Sequence, residues 1–421
     1  MKNKKIKIIL IVLGIIAIIG GALSFFIIRN EIEKDKIALQ KEKREIEKRE
    51  LIDEINSHYN ELVITNKNSK LYRLENNKYN EIGNVSKGEI FKLGEVSINE
   101  DTKYFYLSEL DLYISYLDVD VYKEVVEKDL RYKNYILFNE NVISKDKVSL
   151  YRNDNVIYTL NYSIDEEIII KDDNGYYVEY FGELFLVKNE DVLKTYEKNN
   201  SNEVVANEVP VTVYHFIYLN GDNTCNEIIC HSENQIKEQF QYLKDNQYFT
   251  MNTTEMMLFL EKKIRVPKNS ILITIDDGAR AEKFIPFLEE YKINATLFLI
   301  TSWYSKDIFN SPYMEIASHT HNMHNPGVCS GGQGSPLKCL DNNELVSDLK
   351  TSRELLNGTE AFCYPFYEFN NHAIKAVSDA GFKICFIGGQ KKANIGVNIY
   401  AVPRITIHNS TSINQYINYV K

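Results

Sequence analysis

The stretch Ile271–Arg280, ILITIDDGAR, is an apolar run closed by two carboxylates and a glycine. Aliphatic and β-branched residues in front of a turn signal predict a buried strand. Asp276 and Asp277 then stand at its C-terminal end, and Gly278 lets the chain turn sharply into the next element. Two adjacent carboxylates at the mouth of a buried strand are costly unless a cation pairs with them. With a cation present, one carboxylate can ligate it while the other handles protons. The same letters also suit a helix N-cap or a plain turn, so a second stretch is needed to decide.

That stretch is Glu315–His324, EIASHTHNMH, which holds three of the chain's eight histidines within six residues. Neutral imidazoles are good ligands for zinc and similar ions. One Asp with two His leaves an open metal position for water, as catalytic zinc sites require. A single histidine on an apolar strand is usually a packed residue, but a cluster this dense is not. The two stretches together point to a metal-dependent hydrolase.

These residues resemble a known family. TIDDG is similar to the first motif of the NodB-type carbohydrate esterases, the polysaccharide deacetylases, usually written TFDDG. SHTHNMH resembles their second, histidine-bearing motif, and CYPF (Cys363–Phe366) their third. The resemblance runs from about Val209 to Lys421. It implies a distorted (β/α) barrel and hydrolysis of acetyl groups on a glycan. Asp277, His319 and His324 become the implied metal ligands, with His321 as a rival to either histidine. Zinc is the default ion, although the same ligands accept other divalent transition metals. Asp276 becomes the implied general base.

The resemblance leaves the general acid between two histidines. His408 loosely matches a late Leu-x-His motif. His215, in VTVYHF, matches a histidine on the first strand of a branch typified by poly-N-acetylglucosamine deacetylases, and is the preferred candidate. Tyr364 stands where many members carry arginine, and its backbone N–H is a candidate oxyanion donor. Arg404, in VPRITI, either supplies the missing charge from the last strand or forms a surface salt bridge. Tyr367 replaces a glycine often found after the third motif.

Around these motifs, strand and helix patterns alternate over residues 211–421. VTVYHF, ILITI, ATLFLI, EIASH, AFCYPF, FKICFI and YAVPRITI read as strands. Helices are expected near 233–246, 279–291, 342–356 and 370–380. Alternation of this kind argues for a parallel sheet or α/β barrel, with its chemistry at the C-terminal ends of the strands. His215, Asp276, Asp277, His319 and Pro365 all fall at such ends.

Upstream the character changes. Residues 57–197 carry short runs of Tyr, Val, Ile and Phe between Asn-, Asp- and Gly-containing turns, a β pattern. Leu71-Tyr72-Arg73 recurs as Leu150-Tyr151-Arg152. The recurrence suggests two small all-β modules in tandem, 57–130 and 131–197, similar to bacterial SH3-like modules. They are read either as wall-binding modules or as a spacer. Residues 198–210 read as a polar linker. Residues 29–56 are dense in Lys, Glu and Arg and read as a solvated helical stalk.

The N-terminus carries four lysines within residues 1–7, followed by an uncharged apolar run at 8–28. That run is long enough to cross a bilayer. The lysines place it with its N-terminus in the cytoplasm and the rest of the chain outside. It is expected to be an uncleaved transmembrane anchor. The six cysteines suggest disulfides 225–230, 329–339 and 363–385. The net charge of −10 excludes nucleic acid as a partner. The expected partners are an N-acetylated glycan, either peptidoglycan or an exopolysaccharide, and the membrane. An O-acetyl esterase and an inactive wall-binding protein are the competing readings.

Overall fold

A computed structural model of the chain describes residues 33–43, 46, 62–94, 104–124, 128, 130–198, 204–222, 225 and 227–421. The expected membrane anchor at 8–28 lies outside the described residues. Among the described residues, no helix is long and apolar enough to cross a membrane. Of the expected stalk, residues 33–43 are helical and exposed.

The chain forms two compact units. One takes Met1–Glu127 with Asp146–Tyr162, and the other Lys128–Lys145 with Ser163–Lys421. The unit boundary therefore does not follow a division at residue 130.

The first unit is all-β. Its strands Ser69–Glu75 and Lys78–Val85 form a hairpin turned by Asn76 and Asn77, at φ +51° and +61°. Val148–Arg152 and Asn155–Leu160 form a second, turned by Asn153 and Asp154, at φ +48° and +63°. Both turns need two left-handed residues, which Asn and Asp tolerate best. The Leu-Tyr-Arg repeat is thus a repeated hairpin. It does not mark two modules, because Lys78–Val85 pairs antiparallel with Asn155–Leu160 inside one sheet. Hairpin chemistry is local and visible in sequence, whereas pairing between hairpins is not. Alternation then sorts the faces: Leu71, Phe105 and Ile114 point inward and are at most 3% exposed.

The second unit opens with an antiparallel set of strands at 140–144, 165–172, 175–180, 183–188 and 192–197. The supposed linker is partly structural. Ala206 and Val209 are buried, and Glu208–Val209 pairs with Ala393–Asn394.

Its main sheet is parallel. In spatial order it runs Ile384–Phe386, Ala361–Cys363, Met314–Ser318, Ala295–Leu299, Ser270–Asp277, Val211–Tyr214 and Ile405–Thr406. Phe249–Met251 pairs separately with the start of Ser270–Asp277. Helices Glu233–Asp245, Ile285–Tyr291, Asn342–Leu355 and Asn371–Asp379 lie between strands in sequence. The segment expected to be helical near 279–291 begins as a 3-10 turn, Ala281–Phe284. Both faces are covered, so Ser270–Ile275 is buried at every position, as a central parallel strand should be. The ladder is broken between the first and last strands of this order. There Phe386 forms only an isolated parallel bridge to Val402, and Ile387 N donates to Val402 O at 2.9 Å. This is an incompletely closed barrel, in keeping with the expected distortion.

Candidate active site

The Ser270–Asp277 strand delivers the two carboxylates in different states of burial. Asp276 is fully buried, and Asp277 stands at the rim. Asp277 turns left-handed at φ +76°, and Gly278 follows at φ +106°. A Cβ on Gly278 would lie 2.6 Å from Leu299 Cδ1 and 2.9 Å from Tyr304 Cδ2, so space and backbone both require glycine there.

Both oxygens of Asp276 accept from Arg404, Nη1 to Oδ1 at 2.7 Å and Nη2 to Oδ2 at 2.7 Å. Arg404 is fully buried, which excludes its reading as a surface ion pair. Its fork is steadied by Thr274 Oγ1 at 3.0 Å and Ile387 O at 3.2 Å, and its plane lies over the rings of Tyr367 and Phe298. Burial by itself would push the Asp276 carboxyl up. The Arg404 charge and its hydrogen bonds outweigh this and hold it well below the usual carboxylate range.

The Met314–Ser318 strand ends at His319, whose backbone N–H donates to Leu299 O at 2.9 Å. Thr320 then turns left-handed at φ +76°. Asp348, on the Asn342–Leu355 helix, accepts from the backbone N–H groups of His321 and Asn322 at 2.9 and 2.7 Å. This clamp folds the loop so that His324 comes back beside His319, with ring centroids 4.9 Å apart. His321 instead places Nδ1 3.0 Å from Thr301 Oγ1. The structure therefore brings the outer histidine pair to Asp277 and turns His321 away.

Nε2 of His319 lies 3.4 Å from Asp277 Oδ1, and Nε2 of His324 lies 3.3 Å from it. His319 Nδ1 donates to Cys363 O at 2.8 Å, which leaves Nε2 directed at the Asp277 carboxylate. A proton on Nε2 joins this pair when no ion is bound, and a metal ion would take the proton's place. Burial opposes charge on His319, but Cys363 and Asp277 outweigh it and hold its pKa well above the ordinary imidazole value. His324 is pushed down to about 4 by burial and by His319, so it is neutral and able to ligate at pH 7. Two imidazoles and one carboxylate around a shared point fit a divalent transition ion. Asp276, His319 and Cys363 form a second group of similar spacing. It suits a cation poorly, because Arg404 already occupies both Asp276 oxygens.

His215 lies within electrostatic reach of Asp276, Asp277, Arg404 and His319. Burial holds its pKa below the ordinary value. His408 instead adjoins His231, and its carbonyl accepts from Gln235 Nε2 at 2.8 Å. The Tyr364 N–H is not free to hold an oxyanion, because it donates to Phe386 O at 3.2 Å. This corrects the expectation from sequence: the neighbouring strand engages that donor. Phe366 and Tyr367 sit at φ +58° and +60°, so Tyr367 keeps a left-handed backbone where glycine is usual.

Two expected disulfides are present, Cys225–Cys230 and Cys329–Cys339. The third is not, since Cys363 and Cys385 are both free and buried. Phe362 is the register partner of Cys385, so alternation directs the two sulfurs to opposite faces of the sheet. Cys363 Sγ instead lies 2.8 Å from Arg404 Nη2.

Several site residues escaped the motif reading. Asp348 and Cys363 act on the site through other residues, and neither carries a sequence signal for that role. The ring of His324 is flanked by Phe366 at 4.4 Å and Trp303 at 5.5 Å. Trp303 is 51% exposed and is the chain's single tryptophan, which could have drawn notice.

Residues 263–385 match the family model described as "Polysaccharide deacetylase". The chain contains a polysaccharide deacetylase domain. The domain belongs to a family of hydrolases that cleave amide-linked acetyl groups. The chain is 28% identical over 198 residues to the poly-beta-1,6-N-acetyl-D-glucosamine N-deacetylase of Staphylococcus aureus (strain MRSA252), covering 42% of this chain and 67% of the relative. It is 27% identical over 202 residues to the enzyme of the same name from Staphylococcus epidermidis, covering 42% and 68%. Among solved structures it is similar to IcaB from Ammonifex degensii, with a TM-score of 0.43 and 17% identity over 52% of this chain and 98% of that one. The matched residues hold Asp276 and the clustered metal-ligand residues, and Arg404 lies beyond them in the sequence.

Proposed function

We propose that this protein is a membrane-anchored, extracytoplasmic, metal-dependent deacetylase. It hydrolyses N-acetyl groups of N-acetylglucosamine in a β-1,6-linked polymer. The observation that carries the reading is the pairing at one strand end of a buried, ionised Asp276 with an Asp277–His319–His324 group whose three ligand atoms converge as a cation site requires. The names of the staphylococcal relatives support the choice of polymer.

Asp277, His319 and His324 would hold the ion, zinc by default; when bound, it polarises the acetyl carbonyl and acidifies water. Asp276 takes a proton from the water that attacks the carbonyl carbon. Arg404 keeps that carboxylate ionised and aimed. His215 gives a proton to the amide nitrogen as the C–N bond breaks, which leaves acetate and a free amine. His215 must carry that proton beforehand: burial lowers its pKa, while the Asp276 and Asp277 charges favour the protonated form. The half-exposed face of Trp303 offers a platform for a pyranose ring next to His324.

The apolar run at 8–28 would hold the protein in the membrane, and the all-β first unit would serve as a spacer or bind the wall.

The test is acetate release from β-1,6-linked N-acetylglucosamine oligomers and from purified peptidoglycan, with chelator and with zinc added back. Zinc-restored release from the oligomers supports the reading. Release from peptidoglycan alone moves the substrate to the wall. No release from either, with metal bound, sinks the proposal.

A further inference from the structure

His231 has no place in the motifs or in the mechanism above, yet it is 0% exposed. It lies on the short strand Cys230–Ser232, which pairs in parallel with Phe216–Tyr218. Cys230 is the register partner of Phe216, and His231 that of Ile217, so His231 sits two positions along from His215 on the neighbouring strand.

Its tautomer can be read from its partners. Gln235 Nε2 donates to His408 O at 2.8 Å and to Thr411 O at 3.2 Å, which fixes the amide and leaves Oε1 facing His231. His231 Nδ1 lies 3.4 Å from that oxygen, so Nδ1 carries the hydrogen and Nε2 presents a lone pair. Nε2 is buried and has no hydrogen-bond partner among the described residues. Nδ1 of His215 is in the same condition. Buried polar atoms without partners are rare, and two on adjacent imidazoles are complementary: one needs an acceptor and the other offers one.

We propose that His231 is a positioning residue for His215, its Nε2 accepting from one bridging water that in turn accepts the Nδ1–H of His215. This rests on the reading of His215 as the general acid. The contact leaves Nε2 of His215 to carry the proton that goes to the departing amine. His231 suits the part because it stays neutral: burial, with His215 and His408 beside it, pushes it down to about 3. The other groups facing the pair are Asp276, Asp277, Arg404 and His319 on the His215 side, and Tyr214, Gln235 and His408 on the His231 side.

The test uses the full chain, loaded with zinc, and β-1,6-linked N-acetylglucosamine oligomers. His215→Gln is the control for the underlying reading and should lose on the order of a hundredfold in kcat. If it does not, the assignment of the acid fails, and this proposal with it. An acceptor on Nδ1–H favours the charged imidazole, so its removal lowers the His215 pKa, and activity that needs the protonated form fades at lower pH. His231→Phe should therefore move the alkaline limb of kcat/KM down by about one pH unit, with KM and zinc content within about twofold. Gln235→Leu, which frees the tautomer, should shift the limb the same way by less. Nitrogen-15 NMR of the histidine rings gives a readout independent of activity: His231 should carry its hydrogen on Nδ1. An unmoved alkaline limb in folded, zinc-loaded His231→Phe, or a hydrogen on His231 Nε2, overturns the proposal.

Discussion

The antiparallel strands of the first unit and the parallel strands of the deacetylase domain bury similar residues but use their ends differently. In the first unit three strands alternate where they pair, with Leu71, Phe105 and Ile114 inward and Tyr72, Tyr104 and Tyr113 outward. Its strand ends are hairpin turns, which need Asn or Asp for backbone reasons alone. In the deacetylase domain the Ser270–Asp277 strand is buried on both faces, so its only route to solvent is its end. The left-handed residues there, Asp277 and Thr320, lie where the chain turns to bring Asp277, His319 and His324 together. The same backbone conformation closes a turn in one unit and builds a site in the other.

The sharpest way to break this contrast is Asp276→Asn. The substitution keeps the side chain's shape and removes the base, so kcat should fall by about 10³-fold or more while bound zinc stays constant, measured by acetate release and metal analysis. Loss of less than about tenfold would show that the strand end does not carry the chemistry.

Arg404→Met comes next. In the native protein the depressed Asp276 pKa makes the pair's contribution full above the unfolded carboxylate value of about 3.9, and lost only as pH falls through the lower folded value. Without Arg404 the buried carboxyl is raised instead, so the sign reverses and stability falls as pH rises. Urea melts should show the variant about 3 kcal/mol less stable than the parent at pH 7, with the deficit smaller at pH 5. Equal deficits at both pH values would contradict the assignment of Arg404 to Asp276.

Trp303→Ala should raise KM for oligomers about three- to tenfold, with zinc content unchanged. Since Trp303 is the single tryptophan, its fluorescence in the parent should also respond to oligomer binding. A silent fluorescence signal and an unchanged KM together would remove the sugar platform.

The smallest effect belongs to the first unit. Asn77→Gly, at φ +61°, should change stability by no more than about 1 kcal/mol in thermal melts and leave kcat and KM as they were. A change in kcat would show that the hairpin unit takes part in catalysis.

Much of the site was legible because its signals are local. Asp276-Asp277-Gly278 and the His319–His324 spacing each fall within one strand end and the loop after it, where chemistry and backbone needs leave few substitutes. Residues that reach the site from afar were harder to read. Arg404 was suspected but left between two roles, since nothing in VPRITI says what the arginine meets. Asp348 and His231 gave no signal at all, and Cys363 drew notice only as part of the CYPF motif and as a disulfide candidate. The cysteine pairing shows the same limit: 225–230 and 329–339 span short loops and formed, whereas 363–385 joins two strands whose register turns the sulfurs apart.

The amino-acid sequence by itself determined the alternation of elements, the hairpin turns and the identity of the metal-ligand candidates. Each of these follows from the preferences of a few neighbouring residues. Only the tertiary structure decided which hairpins share a sheet, which two histidines face Asp277, and that Tyr364 has no free N–H to offer. It also set the fork of Arg404 on Asp276 and the place of His231 next to His215. Those outcomes depend on register and burial between segments far apart in the chain, and no local preference encodes them.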